Sequence, residues 1–269
     1  MDRQNRYDRP IRIAEGIYWV GFYEERTNLH CNPYLIVEGE GAVLIDGGSR
    51  PDFAVVMTKI LQTGVDPKKI EALIYQHYDP DLCGSISNMI DICENPGIKI
   101  LSETSNSVFI NYYIEKTRHH LFKTIDMDNN FFAFQGRTVT FFSTPYCHNE
   151  GSFVTYDKKT KTLFSSDLFG SFSSKWDLFL HLTKECYTCP DYNNCPNGND
   201  YCPIPDIIDF HRKIMPGGKA LQYAMKVIRG IDIEIIAPQH GSVLTGKKDI
   251  GFVIDLLASL DGVGIDAYL

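Results

Sequence analysis

The stretch Tyr75-Gln76-His77-Tyr78-Asp79-Pro80-Asp81-Leu82-Cys83-Gly84-Ser85 places an imidazole and two carboxylates at the alternate positions 77, 79 and 81. Ahead of it, IEALIYQH (70–77) is an apolar, β-rich run that predicts a buried strand ending at His77. Behind it, SISNMIDICE (85–94) carries apolar residues at helical spacing. Strand, loop and helix in that order predict an α/β chain with a site at a strand end, where a rigid scaffold holds a functional loop. Imidazole and carboxylate donors suit iron, zinc or manganese, and one carboxylate can bridge two metals. Leu82, however, has no donor at the position where such a run would offer its last one.

The same alternation extends in both directions. IRIAEGIYWVGFYE (11–24) reads as an opening strand or hairpin, and NPYLIVEGEGAVLIDGG (32–48) as two strands joined at Glu38-Gly39-Glu40-Gly41. DFAVVMTKILQTG (52–64) has helical spacing and stops at Gly64. KILSE (99–103) predicts a strand and SNSVFINYYIEK (105–116) a helix. FFAFQGRTVTFFSTPYCH (131–148) and SFVTYDKKTKTLFSSDLFG (152–170) are strand-rich, and helices are predicted over 206–215 and 220–230. Strand 233–241 and helix 251–260 close the chain. Strands and helices alternate in two similar halves with no linker between them, which predicts two packed sheets with helices outside, in a single domain over 1–269.

Bulk properties exclude several function classes. Apolar residues make up 43% and charged residues 22% of the 269-residue chain, with no low-complexity tract, as in an ordinary globular protein. A net charge of −8 argues against a nucleic-acid partner. The polar start MDRQNRYDRPIRIAEG and the lack of a long apolar run predict a cytoplasmic protein with no membrane partner. The eight cysteines then read as thiols or metal ligands rather than as a disulfide framework.

Further imidazoles and carboxylates stand at predicted strand ends: His148 in TPYCH, Asp167 in LFSSDLFG and His240 in IAPQHG. Singly, each is more simply a hydrogen-bonded histidine or a capping aspartate. Together with NPYLIV, LIDGG and the 77–84 run, these pieces resemble, in order and spacing from about residue 11 to 260, the metallo-β-lactamase superfamily. Within it they are most similar to the diiron domain of flavodiiron proteins, and to the flavin-free oxygen-binding diiron proteins in particular. That family carries His-x-Glu-x-Asp-His-x-Gly, where this chain has His77-x-Asp79-x-Asp81-Leu82-x-Gly84.

The resemblance implies a four-layer αββα sandwich with two non-haem irons in an edge cleft. It assigns His77, Asp79 and His148 to one iron, Asp81 and His240 to the other, and Asp167 as the bridge. Asp79, a carboxylate where the superfamily's hydrolases hold a histidine, shifts the preference from zinc to iron. For the donor missing at Leu82 three answers stand: an open position suited to a gas, a substitute ligand, or a weak second site. His30, in TNLHCNPYL, is the preferred substitute, against a role in hydrogen-bonding a ligand. Cys31 and Cys147 neighbour candidate ligands. Tyr78 and Tyr146 are candidates to hydrogen-bond a bound gas.

CYTCPDYNNCPNGNDYC (186–202) sets Cys186, Cys189, Cys195 and Cys202 around one CxxC pair with wider, irregular spacing. Structural zinc sites bring two close pairs, so a 4Fe–4S cluster is expected, with zinc as the alternative. The family resemblance does not extend to this loop. No flavin-binding segment occurs within the 269 residues, so FMN is not expected here. The expected function is an oxygen or redox sensor that signals to a partner or fused output domain. The alternatives are an oxygen or nitric oxide reductase fed by an electron-transfer protein, and a zinc hydrolase with metal-bound hydroxide as nucleophile. Pairing into a homodimer is left open.

Overall fold

A computed structural model describes residues 7–22, 29–173, 175–195 and 201–269. The end of the stretch 11–24 and the middle of the cysteine loop, 196–200, therefore lie outside the described residues. The first sheet has seven strands in chain order: β1 (Ile11–Ala14), β2 (Ile17–Trp19), β3 (Tyr34–Glu38), β4 (Gly41–Ile45), β5 (Ile70–Ile74), β6 (Lys99–Ser102) and β7 (Phe122–Thr124). Its first four strands run antiparallel, and β4 to β7 run parallel. The parallel part needs crossovers, which pass through the helices α1 (Phe53–Gln62), α2 (Pro80–Cys83), α3 (Ile86–Cys93) and α4 (Thr104–Ile110). The expected helix over 105–116 stops early, at Ile110, and continues as tighter 3₁₀ turns over Asn111–Tyr113 and Lys116–Leu121.

The second sheet holds β8 (Phe131–Phe134), β9 (Arg137–Ser143), β10 (Phe153–Asp157), β11 (Thr162–Phe164), β12 (Ile235–Ala237) and β13 (Leu244–Thr245), in the spatial order β13-β12-β11-β10-β9-β8. Only β11 and β12 pair in parallel. Helices α5 (Ile204–Ile214), α6 (Gly218–Arg229) and α7 (Lys247–Ala258) cover its outer face.

Strand periodicity explains the layers. Along β4, Val43 and Ile45 face the second sheet, while Ala42 and Leu44 face α1 and α3. β5 divides the same way, with Ala72 and Ile74 toward the second sheet and Ile70 and Leu73 toward the helices. A strand covered on both faces favours apolar residues on both, which is why IEALI is apolar except for Glu71, which reaches out to Gln135. Three apolar layers result. Trp19, Tyr34, Phe141, Phe153 and Phe164 fill the space between the sheets; Val56, Ile60 and Met89 lie under the first sheet; Phe210, Leu221, Met225 and Val253 lie under the second. This is the four-layer αββα sandwich. No helix among the described residues is long and apolar enough to cross a membrane.

Candidate metal centre

Five strand ends meet at one edge of the sandwich. β4 runs into Asp46, β5 into His77, β9 into the turn that carries His148, β11 into Asp167 and β12 into His240. Backbone hydrogen bonds lace these loops together: Gln239 N–H donates to Ser166 O at 2.8 Å and Asp46 N–H to Ile74 O at 2.8 Å. Phe153 N–H reaches Gln76 O at 3.3 Å. Non-glycine residues hold left-handed φ here, Asp46 at 52°, Ser166 at 55° and Phe169 at 68°. Such conformations persist where the surroundings over-determine them, commonly at functional sites. Gly241, at φ 79°, follows His240 where a Cβ would lie 2.4 Å from Ser171 Oγ.

The loop after β5 sorts its side chains by helical geometry. Asp79 stands just before the single turn α2 with its carboxylate turned away from the helix end, Pro80 occupies the first position, and Asp81 and Leu82 then point about 100° apart. Asp81 faces the cleft, which has a volume of about 420 Å³. Leu82 turns into the core under the first sheet and is fully buried. The residue that breaks the metal-ligand run is therefore a packing residue. Cys83 also points inward, its thiol 3.4 Å from His77 O.

Five of the six candidates from the sequence line the cleft, and the sixth, His77, is buried against Asp79 and Asp167. His148 Nε2 lies 3.2 Å from Asp79 Oδ2 and 3.2 Å from Asp167 Oδ2. His77 Nε2 lies 4.0 Å from Asp79 Oδ2 and 3.8 Å from Asp167 Oδ1. His240 Nε2 lies 3.2 Å from Asp81 Oδ2 and 3.6 Å from Asp167 Oδ1. Among the described residues, two groups of three donors lie mutually within 4.8 Å: His77, His148 and Asp167, and Cys31, Asp81 and His240.

His30 is not among them. Its ring stacks on Trp176 with centroids 4.6 Å apart, and its Nε2 lies 2.9 Å from Ser173 O. Its backbone oxygen lies 3.1 Å from His240 Nδ1. The expected substitution of an imidazole from His30 is thus not what this geometry provides; the neighbouring Cys31 faces the cluster instead. The sequence signal for Cys31 was its position beside the candidate ligand. Tyr78 stacks on Phe109, with ring centroids 4.3 Å apart, and Tyr146 lies over a surface cavity with Pro145, Pro216 and Tyr223. Neither belongs to the cleft lining.

Charge and tautomer state what this set can hold. A carbonyl only accepts, so His240 Nδ1 donates to His30 O, and the neutral ring then aims the Nε2 lone pair at Asp81 and Asp167. Lone pairs facing carboxylates at these distances require a cation between them. In the metal-free protein that cation is a proton. Burial works to lower the His148 pKa, but hydrogen bonds to Asp167 and Asp79 raise it to about 10. Burial likewise opposes protonation of His240, yet Asp81 and Cys31 raise its pKa well above the ordinary value. Asp167 is almost fully buried and its Oδ1 has no hydrogen-bond partner. An orphaned buried oxygen costs about 1–3 kcal/mol or more. Its place between the imidazoles of His77 and His240 is that of a carboxylate shared by two metals, so the residues present fit a dimetal group.

Second contacts fix the donors. Ser166 Oγ lies 2.8 Å from His77 Nδ1, and Asn149 Nδ2 donates to Asp79 Oδ1 at 3.2 Å. Asp46 accepts from Gln76 N at 3.1 Å and Gln76 Nε2 at 3.2 Å, which holds the residue before His77. Phe172 and Phe210 stand 6.2 Å and 5.9 Å from the His240 ring, centroid to centroid.

The cysteine loop is docked on α5 and α7. Cys186, Cys189, Cys195 and Cys202 are all partly exposed. Tyr187 hydrogen-bonds to Asp249 and packs on Phe252. Tyr201 Oη lies 2.7 Å from Ser173 Oγ and 2.7 Å from Asp206 Oδ2. Polar contacts therefore run from Tyr201 through Ser173 and His30 to His240.

Comparison with known proteins adds the family. Residues 29–241 match the family described as ODP family beta lactamase. An uncharacterized protein of Methanocaldococcus jannaschii is 26% identical over 87% of this chain and 56% of its own length. A nitric oxide reductase of Moorella thermoacetica is 24% identical over 93% of this chain and 61% of its own. The chain thus spans little more than half of these relatives. Among solved structures, the flavodiiron protein of Giardia intestinalis aligns with a TM-score of 0.76 and 18% identity over 93% of this chain and 58% of that one. The chemotaxis sensor ODP, solved as a peroxy diiron species, aligns with a TM-score of 0.71 and 22% identity over 93% of this chain and 98% of that one. With most of its length inside that family match and the αββα scaffold beneath it, the chain belongs to the ODP family of beta-lactamase-fold proteins.

Proposed function

We propose that this chain is a single diiron domain that binds dioxygen or a related small ligand and reports it to a partner or fused output domain. One iron takes His77, Asp79 and His148, the second takes Asp81 and His240, and Asp167 bridges them. The observation that carries this reading is Asp167, whose buried, unpartnered Oδ1 lies between two imidazoles. When bound, a diiron pair supplies redox steps and open positions for a diatomic ligand. The chain's own residues set the conditions. Ser166 orients the His77 ring and the His30 carbonyl that of His240. Phe172, Phe210 and Ile214 line the cleft with apolar surface that restricts water, and Asp79 offers a hard oxygen donor that favours iron over zinc.

The proposal includes a 4Fe–4S cluster on Cys186, Cys189, Cys195 and Cys202, with zinc as the alternative. Tetrahedral zinc would draw the four sulfurs to about 3.8 Å from one another. The single CxxC pair with wider, irregular spacing around it suits the larger cluster. A sensor role is supported by the match to nearly the whole length of the ODP chemotaxis sensor. The contacts from Tyr201 to His240 favour a second reading, a reductase of oxygen or nitric oxide fed through the cluster.

The test is a count of iron, zinc and acid-labile sulfide on protein purified without oxygen, followed by exposure to oxygen. About six irons and four sulfides per chain are expected, with a single stoichiometric reaction. Sustained oxygen or nitric oxide consumption with reduced rubredoxin would establish the reductase. Zinc throughout with no sulfide would overturn both readings in favour of a hydrolase.

A further inference from the structure

We infer that Cys31 supplies a thiolate ligand to the second metal, in place of the donor that the 77–84 run lacks at Leu82; this rests on the dimetal reading above. Cys31 Sγ lies 3.9 Å from Asp81 Oδ2, and Asp81 Oδ2 lies 3.2 Å from His240 Nε2. All three donors fall within 4.8 Å of one another. Around a four-coordinate metal with bonds of about 2.1 Å to nitrogen and oxygen and about 2.3 Å to sulfur, ligand edges measure roughly 3.4–3.6 Å. The observed separations lie within a few tenths of an ångström of those edges. The unpartnered Oδ1 of Asp167, 3.6 Å from His240 Nε2, offers the fourth corner. The tautomer of His240 agrees: its Nδ1 donates to the His30 carbonyl, which leaves Nε2 free for a metal.

The placement of Cys31 is built into the fold. The adjacent Asn32 is completely buried and clamps the segment to the loop that carries His240. Its Nδ2 donates to Pro238 O at 3.0 Å and Gly241 O at 2.9 Å, its Oδ1 accepts from Trp19 Nε1 at 2.8 Å, and its N–H donates to Gln239 O at 2.8 Å. Four bonds on one residue fix which of its neighbours faces the cleft. Cys31 is itself 2% exposed, so its sulfur is shielded from bulk oxidants. The two metals then differ in kind. The first has two imidazoles and two carboxylates, whereas the second has one imidazole, two carboxylates and a soft sulfur.

Two measurements on the metal-free 269-residue chain test this. In an anaerobic Co(II) titration of wild type against Cys31→Ser, the loop cysteines contribute equally to both spectra. The difference spectrum is expected to show a near-ultraviolet sulfur-to-cobalt charge-transfer band that saturates with one equivalent. Affinity for that equivalent should fall at least about tenfold in the variant. Superimposable titrations would overturn the inference. Cadmium NMR of the wild type needs no variant. A resonance shifted between those of nitrogen–oxygen sites and a tetrathiolate site is expected. Two nitrogen–oxygen resonances without it would overturn Cys31 as a ligand while leaving the dimetal reading intact. Binding at the cysteine loop alone would instead remove the dimetal reading beneath both.

Discussion

Asp167 shows how one residue can be both a liability and the reason for a site. Burial alone would raise its pKa, but the imidazoles of His77, His148 and His240 overcome this and hold the carboxylate ionised, well below the ordinary value. A buried charge of that kind is stable only with cations around it. Asp167→Asn keeps the shape and removes the charge, so the bridge between the two donor sets is lost. The expected outcome is that the cleft retains at most one metal after desalting, counted beyond the metal of the cysteine loop, with affinity for the second reduced by more than about tenfold; elemental analysis of the desalted variant against wild type checks it. Retention of two metals at wild-type affinity would remove Asp167 from the bridge. The protonated imidazoles of the metal-free form make a separate prediction. His148, with its pKa raised to about 10, stabilises the fold fully below its unfolded value near 6.5. That contribution is lost as pH rises through 10, so the metal-free protein should weaken between those values, and metal should flatten the slope measured by denaturant titration.

At the scale of elements, two buried polar devices hold the layers in register. At the end of the sandwich away from the metals, Arg137 on β9 donates from Nε and Nη2 to Asp157 on β10, both at 2.8 Å, and from Nη1 to Glu15 O at 3.2 Å and Val37 O at 3.3 Å. It therefore ties the second sheet to the first. Arg137→Met would leave Asp157 buried without its cation, held only by the Thr160 N–H and hydroxyl, which costs about 3–5 kcal/mol; chemical denaturation would show this, while metal content stays unchanged. The other device is His211 on α5. Its Nε2 accepts from Phe169 N–H at 3.0 Å and its Nδ1 donates to Ile207 O at 2.7 Å, so it is neutral, and burial lowers its pKa to about 4. The unfolded chain binds a proton near 6.5 and the folded chain does not until about 4, so stability falls as pH drops through that window. The loss approaches about 3 kcal/mol. His211→Gln should flatten that part of the pH profile in metal-free protein, and an unchanged slope would show that other groups set it.

At the scale of the whole molecule, the sequence makes the layers legible because apolar runs on doubly covered strands and amphipathic helices are local patterns. The site residues at strand ends are legible for the same reason: each follows a strand whose end can be seen. The choice between His30 and Cys31 is not local. It depends on how Asn32 bonds to residues more than two hundred positions away, and that contact has no trace in the spacing of TNLHCNPYL. The short β7 and β13 escape notice likewise, because three or two residues paired by tertiary contacts carry no period. Long-range assembly also gives the metals a thermodynamic signature. The donors come from loops of both sheets, so the site exists only when the layers are packed, and metal binds the folded chain in preference to the unfolded one. At a thousandfold excess over Kd this adds about 4 kcal/mol, roughly 10 °C in Tm for a chain of this size, and chelation should remove it. Arg137→Met acts at the other end of the sandwich, so its cost should be the same with and without metal. Asp167→Asn should instead lose most of the metal-dependent increment. Four thermal melts on each variant pair, with and without chelator, separate these outcomes. A metal increment left intact in Asp167→Asn would mean that the stabilising metal sits elsewhere, with the cysteine loop as the next site to examine.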